Sequence, residues 1–292
     1  MDSRKLFAII TVAVLLIGGV IYFNFYKKAP TREPVIVQPS PQNNVKTIGT
    51  SVEGRTITTH TYGNGGTKLV FVGGIHGGYE WNSVLLAYQF MDYLQANPAS
   101  IPANVTVTVI PSLNPDGLYR VIRKEGRFSL ADAPDTQDST GLGRFNAHDV
   151  DLNRNFDCKW KPTSTWRSKI VSAGTAAFSE PEAAALRDFV TTSKPSAVIF
   201  WHSQANAVYA SECKNGILPK TLDIMNAYSS GSGYVAVKTF DAYAISGDAE
   251  GWLASINIPA ITVELKTHAT VEWDRNLAGI KALFEYYAKA GN

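Results

Sequence analysis

The sequence predicts one α/β domain, in which a mixed, mostly parallel central sheet is flanked by helices on both faces. Short apolar runs rich in β-branched residues alternate with segments of helical periodicity, the order typical of doubly wound α/β layers. Hydrophobic residues make up 45% of the chain and charged residues 18%, as in an ordinary globular domain. Ionisable residues follow the apolar runs, where open α/β sheets bind their ligands.

Four strands and three helices are predicted from these patterns. The strands are β-branched or aromatic runs at residues 68–72, 105–110, 197–201 and 258–265. The helices carry apolar residues at helical spacing and cover residues 81–94, 179–190 and 277–289. Ser179 is the predicted N-cap of the second helix, because Glu182 follows it three residues later. The NPDG run at residues 114–117 predicts a turn.

The N-terminal part of the chain predicts a membrane anchor. Residues 6–23 are uncharged and apolar, close to the length needed to span a bilayer, and Arg4 and Lys5 precede them. We therefore expect a transmembrane signal anchor at residues 1–26, a Pro-rich linker at 27–44 and the folded domain at 45–292. The folded domain would lie outside the cytoplasm, or be secreted if the segment is a cleaved signal peptide.

Charge and cysteine content limit the possible partners only partly. The net charge of +2 is too small to predict binding to nucleic acid, and we expect a monomer. Cys158 and Cys213 form a disulfide, which would imply an exported domain, or are two separate buried thiols. The cysteine spacing leaves both alternatives open.

Two strand ends carry the residue types that bind zinc. His76 and Glu80 lie in the glycine-rich run GGIHGGYE after the first strand, and His202 follows strand 197–201. Two imidazoles and one carboxylate would hold a single Zn²⁺ and leave a fourth position open for water, as catalytic zinc requires. The alternative is a glycine turn with a packed His76 and an exposed Glu80, and a His202 that caps the strand or packs in the core.

A third strand end supplies a candidate base. Glu264 lies near the end of strand 258–265, where an acidic residue is costly unless it has a partner or an opening to solvent. It could take a proton from the attacking water, or it could be a plain exposed glutamate. Between these strands, the polar block 143–156 contains arginines suited to bidentate binding of a carboxylate.

From residue 45 to the C-terminus, these motifs together resemble the zinc carboxypeptidases, the family of the pancreatic carboxypeptidases and of bacterial peptidases that act on cell-wall peptides. The resemblance depends on the order of five motifs: the His76/Glu80 loop, NPDG, DLNRNF from Asp151, His202-Ser203, and TVEL containing Glu264. The absence of room for an activation domain makes the bacterial members the closer match.

The resemblance implies a role for each matching residue. His76, Glu80 and His202 would bind the zinc ion, and Glu264 would act as the base that passes the proton on to the leaving nitrogen. The remaining implied residues are Asn153 and Arg154 for the substrate's terminal carboxylate, Arg144 for the oxyanion and substrate, Tyr243 as the mobile active-site tyrosine, and Asp248 and Glu250 as the lining of the leaving-residue pocket.

Besides the lack of room for an activation domain, two features depart from the family pattern. The usual spacing is His-x-x-Glu, whereas three residues separate His76 from Glu80. Arg144 lies in a loop of unusual length, and three other arginines could take its place: Arg120, Arg123 and Arg127. The remaining histidines, His60, His148 and His268, are assigned to the surface or to positions around the ligands.

The predicted function is zinc-dependent removal of a C-terminal residue from a cell-wall peptide or a protein. The substrate would be a peptide with a free C-terminal carboxylate, and the acids Asp248 and Glu250 would favour a leaving residue that bears an amino group. Two alternatives are a zinc amidohydrolase that acts on N-acyl amino acids and an inactive domain that binds peptide ends.

Overall fold

The computed structural model describes residues 19, 21–23, 44–134 and 141–290. Its centre is an eight-stranded sheet with the strand order β1-β2-β4-β3-β7-β12-β8-β11. These strands are β1 (Asn44–Thr50), β2 (Thr56–Gly63), β3 (Thr67–Val72), β4 (Val105–Ile110), β7 (Ala197–Ser203), β8 (Ala207–Ala210), β11 (Val235–Val237) and β12 (Ala260–Leu265). Two further pairs lie outside this sheet: β5 (Thr163–Trp166) with β6 (Lys169–Ser172), and β9 (Glu212–Cys213) with β10 (Gly216–Ile217).

The sheet is mixed, as predicted. Strands β4, β3, β7 and β12 run parallel to one another in its centre. Antiparallel pairs attach β2 to β4, β1 to β2 and β8 to β12, and β11 pairs with β8 in parallel. The carboxyl ends of the four central strands therefore meet at one edge.

Six α-helices in the described part of the chain cover the sheet. They are α1 (Trp81–Ala96), α2 (Pro115–Ile122), α3 (Pro181–Ser193), α4 (Pro219–Ser232), α5 (Ala249–Ser255) and α6 (Trp273–Ala290). Alternate side chains of the central strands enter two separate cores, because successive residues of a strand point to opposite faces. Leu69 and Phe71 pack with residues of α1, α4 and α6, whereas Val70 and Val72 pack with residues of α3 and α5. The prediction of helices on both faces is confirmed.

Two helix starts differ from the sequence prediction. Helix α3 begins at Pro181 with Glu180 as its N-cap residue, because the Ser179 hydroxyl donates to Glu180 at 2.9 Å and accepts from Asn155 at 3.0 Å. The predicted turn at 114–117 is the start of α2, where the Asn114 side chain accepts from the Gly117 amide. The Pro at the first helical position suits both starts, since its φ is already helical.

A disulfide joins Cys158 to Cys213, with a Cα–Cα distance of 6.0 Å. Of the two alternatives that the sequence left open, the disulfide is therefore the one that the structure contains. The bond connects the loop that follows the DLNRNF motif to β9, two segments that both line the cleft described below.

The prediction of an N-terminal transmembrane helix is contradicted. A bilayer requires about 20 largely apolar residues in one helix, and no helix among the described residues meets the length and apolarity needed. Helix α6 has 18 residues but carries five charges, on Asp274, Arg275, Lys281, Glu285 and Lys289. The predicted anchor (1–26) and linker (27–44) lie outside the described residues, apart from Gly19, Ile21, Tyr22, Phe23 and Asn44. The location outside the cytoplasm was inferred from this anchor and loses its support with it.

Candidate metal centre

His76, Glu80 and His202 meet at the carboxyl edge of the sheet. His76 and Glu80 follow β3, and His202 lies on the neighbouring strand β7. One ligand atom of each lies within 4.8 Å of the others, and all three residues are buried. The Nδ1 atom of His76 is 2.8 Å from Glu80 Oε1 and 3.2 Å from Nδ1 of His202, which is itself 3.1 Å from Glu80 Oε2.

The glycines explain how this site tolerates an additional residue between His76 and Glu80. Residues Gly77–Glu80 form one 3₁₀ turn that packs against α2. Gly77 has a φ of +46°, which favours glycine, and a Cβ atom on Gly78 would lie 2.5 Å from Val121. The close backbone approach turns Glu80 back toward His76 despite the longer spacing.

Each imidazole has a carboxylate on its far side. The Nε2 atom of His202 bonds Glu250 Oε1 at 3.1 Å, and Nε2 of His76 lies 3.4 Å from Asp151 Oδ1. Carboxylates in these positions favour a proton on Nε2, which leaves the Nδ1 lone pair available for a metal. The two Nδ1 atoms point toward each other and toward Glu80.

The electrostatics of the group suit a cation. Burial alone would raise the pKa of Glu80, but the charges of His76 and His202 hold that pKa well below its usual range. Burial opposes protonation of His202, yet Glu80 and Glu250 raise the pKa of that imidazole well above its usual value. A site that favours the carboxylate and attracts positive charge, with N and O donors, fits Zn²⁺.

Glu264 faces the same edge from β12. It pairs in register with His202 on β7, and its Oε2 atom is buried without a hydrogen-bond partner in the described part of the chain. Burial, together with the charges of Glu80 and Glu250, raises the pKa of Glu264 to about 7, against the opposing effects of His202 and Arg144. This carboxyl group can exchange a proton near neutral pH.

Arg144 is held beside the metal group by a buried ion pair. Its Nε and Nη2 atoms donate to Asp151 Oδ2 at 3.0 and 2.8 Å, and its Nη1 atom lies 3.8 Å from Glu80. The guanidinium also lies 4.6 Å from the ring centre of Trp166. Burial opposes ionisation of Asp151, but Arg144, Arg154 and His76 hold the pKa of its carboxyl well below the usual range.

The three reserve arginines lie elsewhere. Arg120 and Arg127 pair with the exposed acids Asp149 and Asp92, and Arg123 is the C-cap residue of α2. Of these four candidates, Arg144 is therefore the one that lies beside the metal group.

Asn153 and Arg154 are fixed by contacts with two other segments. Asn153 accepts a hydrogen bond from the Ala249 amide at the start of α5. Arg154 donates from Nε and Nη2 to the Thr165 carbonyl of β5, at 3.2 and 3.0 Å. Both residues line the cleft that contains the metal group.

The remaining predicted residues also line this cleft, which has a volume of about 430 Å³. Tyr243 is half-buried, and its ring centre lies 4.9 Å from that of Phe240. Asp248 caps α5 through the Gly251 amide, and burial beside Glu250 raises its pKa to about 6. Glu250 is buried and also accepts a hydrogen bond from Thr262. The structure thus brings every predicted site residue into one cleft.

The sequence prediction missed one buried contributor and left the place of another open. Asp151, which touches both His76 and Arg144, could have been found from its place two residues before Asn153. His268 was assigned to the surface or to the surroundings of the ligands; it is 3% exposed and bonds Ser203 at 2.7 Å, and Ser203 in turn donates to Asn82. No local signal links His268 to Ser203, because 65 residues separate them.

A cation held beside a carboxyl group that exchanges its proton near neutral pH can promote hydrolysis of an amide, so the arrangement is typical of the metallopeptidases. Comparison with known families narrows this class. A profile described as zinc carboxypeptidase matches residues 36–273, and the chain belongs to the zinc carboxypeptidase family. This match confirms the predicted family, and the His76, Glu80 and His202 group agrees with the predicted Zn²⁺ cofactor.

Individual relatives agree with this family. The chain is 26% identical over 263 residues to the γ-D-glutamyl-L-diamino acid endopeptidase 1 of Lysinibacillus sphaericus, covering 83% of this chain and 63% of that protein. Its fold is similar to the thrombin-activatable fibrinolysis inhibitor, with a TM-score of 0.67 at 17% identity, covering 84% of this chain and 69% of the other. The murein-tripeptide amidase MpaA of Escherichia coli O157 gives a TM-score of 0.59 at 19% identity, covering 86% and 96%.

The buried ion pair of Arg144 leads to a stability prediction. Asp151→Asn leaves the guanidinium buried without its main counter-charge, so the free energy of unfolding at neutral pH should fall by about 3–5 kcal/mol. Because the pKa of Asp151 is lowered in the fold, its contribution is present above the ordinary pKa of 3.8 and is lost as the pH falls below it. Urea unfolding at several pH values measures both effects.

Asp149→Asn is the matched control. This acid pairs with Arg120 but is 83% exposed, so its replacement should change the free energy of unfolding by less than about 1 kcal/mol. Equal effects of the two substitutions would contradict the importance of the buried pair.

Proposed function

We propose that this metallopeptidase is a carboxypeptidase that hydrolyses the C-terminal amide bond of a peptide. The observation that carries the proposal is the single cleft in which Glu264 faces the His/Glu/His group while Asn153 and Arg154 lie beside them. A substrate can place its carbonyl at the metal group and its terminal carboxylate at Arg154, because a guanidinium binds a carboxylate with two parallel hydrogen bonds.

His76, Glu80 and His202 would hold the zinc ion through Nδ1 of each imidazole and the carboxylate of Glu80. When bound, zinc supplies Lewis acidity, which polarises a carbonyl and lowers the pKa of a coordinated water. Asp151 and Glu250 orient the two imidazoles from behind, and such contacts also raise the basicity of the ligands.

Glu264 acts as the general base. It takes a proton from the attacking water and passes it to the leaving nitrogen, so a C–N bond breaks and a C–O bond forms. A carboxyl group with a pKa raised to about 7 is suited to both directions of transfer, because the transfer is most effective when the pKa lies near the working pH.

Arg144 stabilises the negative charge that develops on the carbonyl oxygen. Asp151 fixes two of its guanidinium nitrogens, and Nη1 faces the metal group. Donors that are already oriented toward the developing charge cost little reorganisation during the reaction. Tyr243, on the loop that lines the same cleft, would close over the bound substrate.

The leaving residue carries an amino group in this proposal. Asp248 and Glu250 place two acids at the end of the cleft near Arg154. The Lysinibacillus sphaericus relative is named for a bond to an L-diamino acid, and the E. coli neighbour is named a murein-tripeptide amidase. These names support a cell-wall peptide that contains a diamino acid as the substrate.

Glu264→Gln tests the proposed base. The variant should lose at least about 100-fold in kcat on a peptide or muropeptide panel, because an amide cannot accept the proton. Its zinc content should stay at the level of the unmodified protein. Glu212→Gln, at another acid that lines the cleft, is the control and should keep its activity. Equal turnover by both variants would exclude Glu264 as the base.

The same base predicts how activity depends on pH. Glu264 works as the carboxylate, so kcat/KM should fall as the pH drops through the pKa of this group. A nearby cation favours the carboxylate form, which puts the acidic limb at or below about pH 7. Circular dichroism at each pH separates this loss from unfolding. A profile without an acidic limb in the folded protein would contradict the assignment.

Replacing each leaving-side acid by its amide tests the roles of Asp248 and Glu250 one at a time. Glu250→Gln should lower the preference for a lysine over a leucine leaving residue by about tenfold, the effect of one charge-assisted hydrogen bond. Asp248→Asn tests the other acid, because asparagine retains the cap on α5. Zinc content is measured in parallel, since Glu250 also bonds His202. Unchanged selectivity in both variants would remove the basis for an amino-bearing leaving residue.

A further inference from the structure

We propose that Tyr79, Trp166 and Arg167 form a subsite for a carboxylate on the residue that contributes the carbonyl of the cleaved bond. The inference rests on the proposed function and assigns a binding role to cleft residues other than Asp248 and Glu250. We call these three residues the acyl-side wall.

The hairpin of β5 and β6 places this wall. Trp166 is 3% exposed and packs in a small separate apolar cluster with Tyr79, Val171 and Phe145. The rings of Tyr79 and Trp166 meet edge to face at a centroid distance of 5.3 Å. Tyr79 directly precedes the proposed ligand Glu80, so the wall continues from the metal group.

Arg167 brings a charge to the rim of this wall. It is exposed at the tip of the hairpin, lines the cleft, and lies 5.5 Å from the ring centre of Trp166. It forms no ion pair with any residue in the described ranges, whereas Arg144 is paired with Asp151. An unpaired guanidinium on an aromatic face is suited to binding a carboxylate from a ligand.

Ring contacts place this wall beside the metal group. The Tyr79 ring lies 4.6 Å from the His268 ring, and the Trp166 ring centre lies 4.6 Å from the Arg144 guanidinium. The two leaving-side acids, Asp248 and Glu250, lie instead at the start of α5. In this proposal, a peptide whose terminal carboxylate binds Arg154 extends its acyl side toward Tyr79 and Arg167.

Two peptides with the same leaving residue test the subsite. In one, the acyl residue is glutamate; in the other it is glutamine, which has the same shape without the charge. The zinc-loaded enzyme should show a higher kcat/KM for the glutamyl peptide than for the glutaminyl peptide. Arg167→Ala should lower the ratio of these two kcat/KM values by about three- to tenfold. Arg167→Lys should retain part of the preference.

Lys169→Ala is the matched control. Lys169 lies on the same hairpin and 5.4 Å from the Trp166 ring, and it is exposed but does not line the cleft. Lys169→Ala also removes one positive charge from the hairpin, but from a side chain that does not line the cleft. It should therefore leave the ratio of the two kcat/KM values unchanged. High salt should reduce the preference of the unmodified enzyme, because an exposed pair is screened.

The outcomes separate the subsite from the proposed function. Turnover of both peptides with a ratio that Arg167→Ala does not change, or that Lys169→Ala changes equally, overturns the subsite alone. Absence of turnover on either peptide counts against the proposed function. In that case, calorimetric binding of the two peptides to Glu264→Gln, with and without Arg167→Ala, measures the same preference, and equal affinities overturn the subsite.

Discussion

The parallel pairing of β3, β7 and β12 is the constraint on which the site depends. Parallel strands end at the same edge of a sheet, so the residues after β3 and those near the ends of β7 and β12 become neighbours. His76, His202 and Glu264 are far apart in the chain and meet only through this pairing. A shift of one residue in the register of β12 would turn Glu264 to the opposite face of the sheet, away from the cleft.

Charge balance around this edge explains the different behaviour of its acids. Glu80, Asp151 and Glu250 each contact an imidazole or a guanidinium, and their pKa values are lowered despite burial. Asp248 and Glu264 are half-buried beside these other acids, and their pKa values are raised to about 6 and 7. Environments that separate the pKa values of neighbouring acids are typical of catalytic sites, because they assign one acid to binding and another to proton transfer.

The sequence predicted the site best where an ionisable residue lies near the end of a strong strand pattern. The strand at 105–110 was predicted with its observed bounds, and His76, His202 and Glu264 were found because each lies near the end of such a run. Long-range contacts could not be predicted in this way. Ser179 failed as a cap because Asn155 engages its hydroxyl, and the transmembrane helix was inferred from hydropathy alone.

The residue inserted between His76 and Glu80 connects the metal group to the acyl end of the cleft. Gly77 and Gly78 allow the turn to close with the additional residue, and the residue that this brings into the cleft is Tyr79. Its ring packs on Trp166, whose other contacts include the Arg144 guanidinium. A substitution at Tyr79 that disturbs this packing would therefore change the position of Glu80 through the backbone and that of Arg144 through the Trp166 ring. The departure from the family spacing thus ties the geometry of the metal group to the wall that receives the acyl part of the substrate.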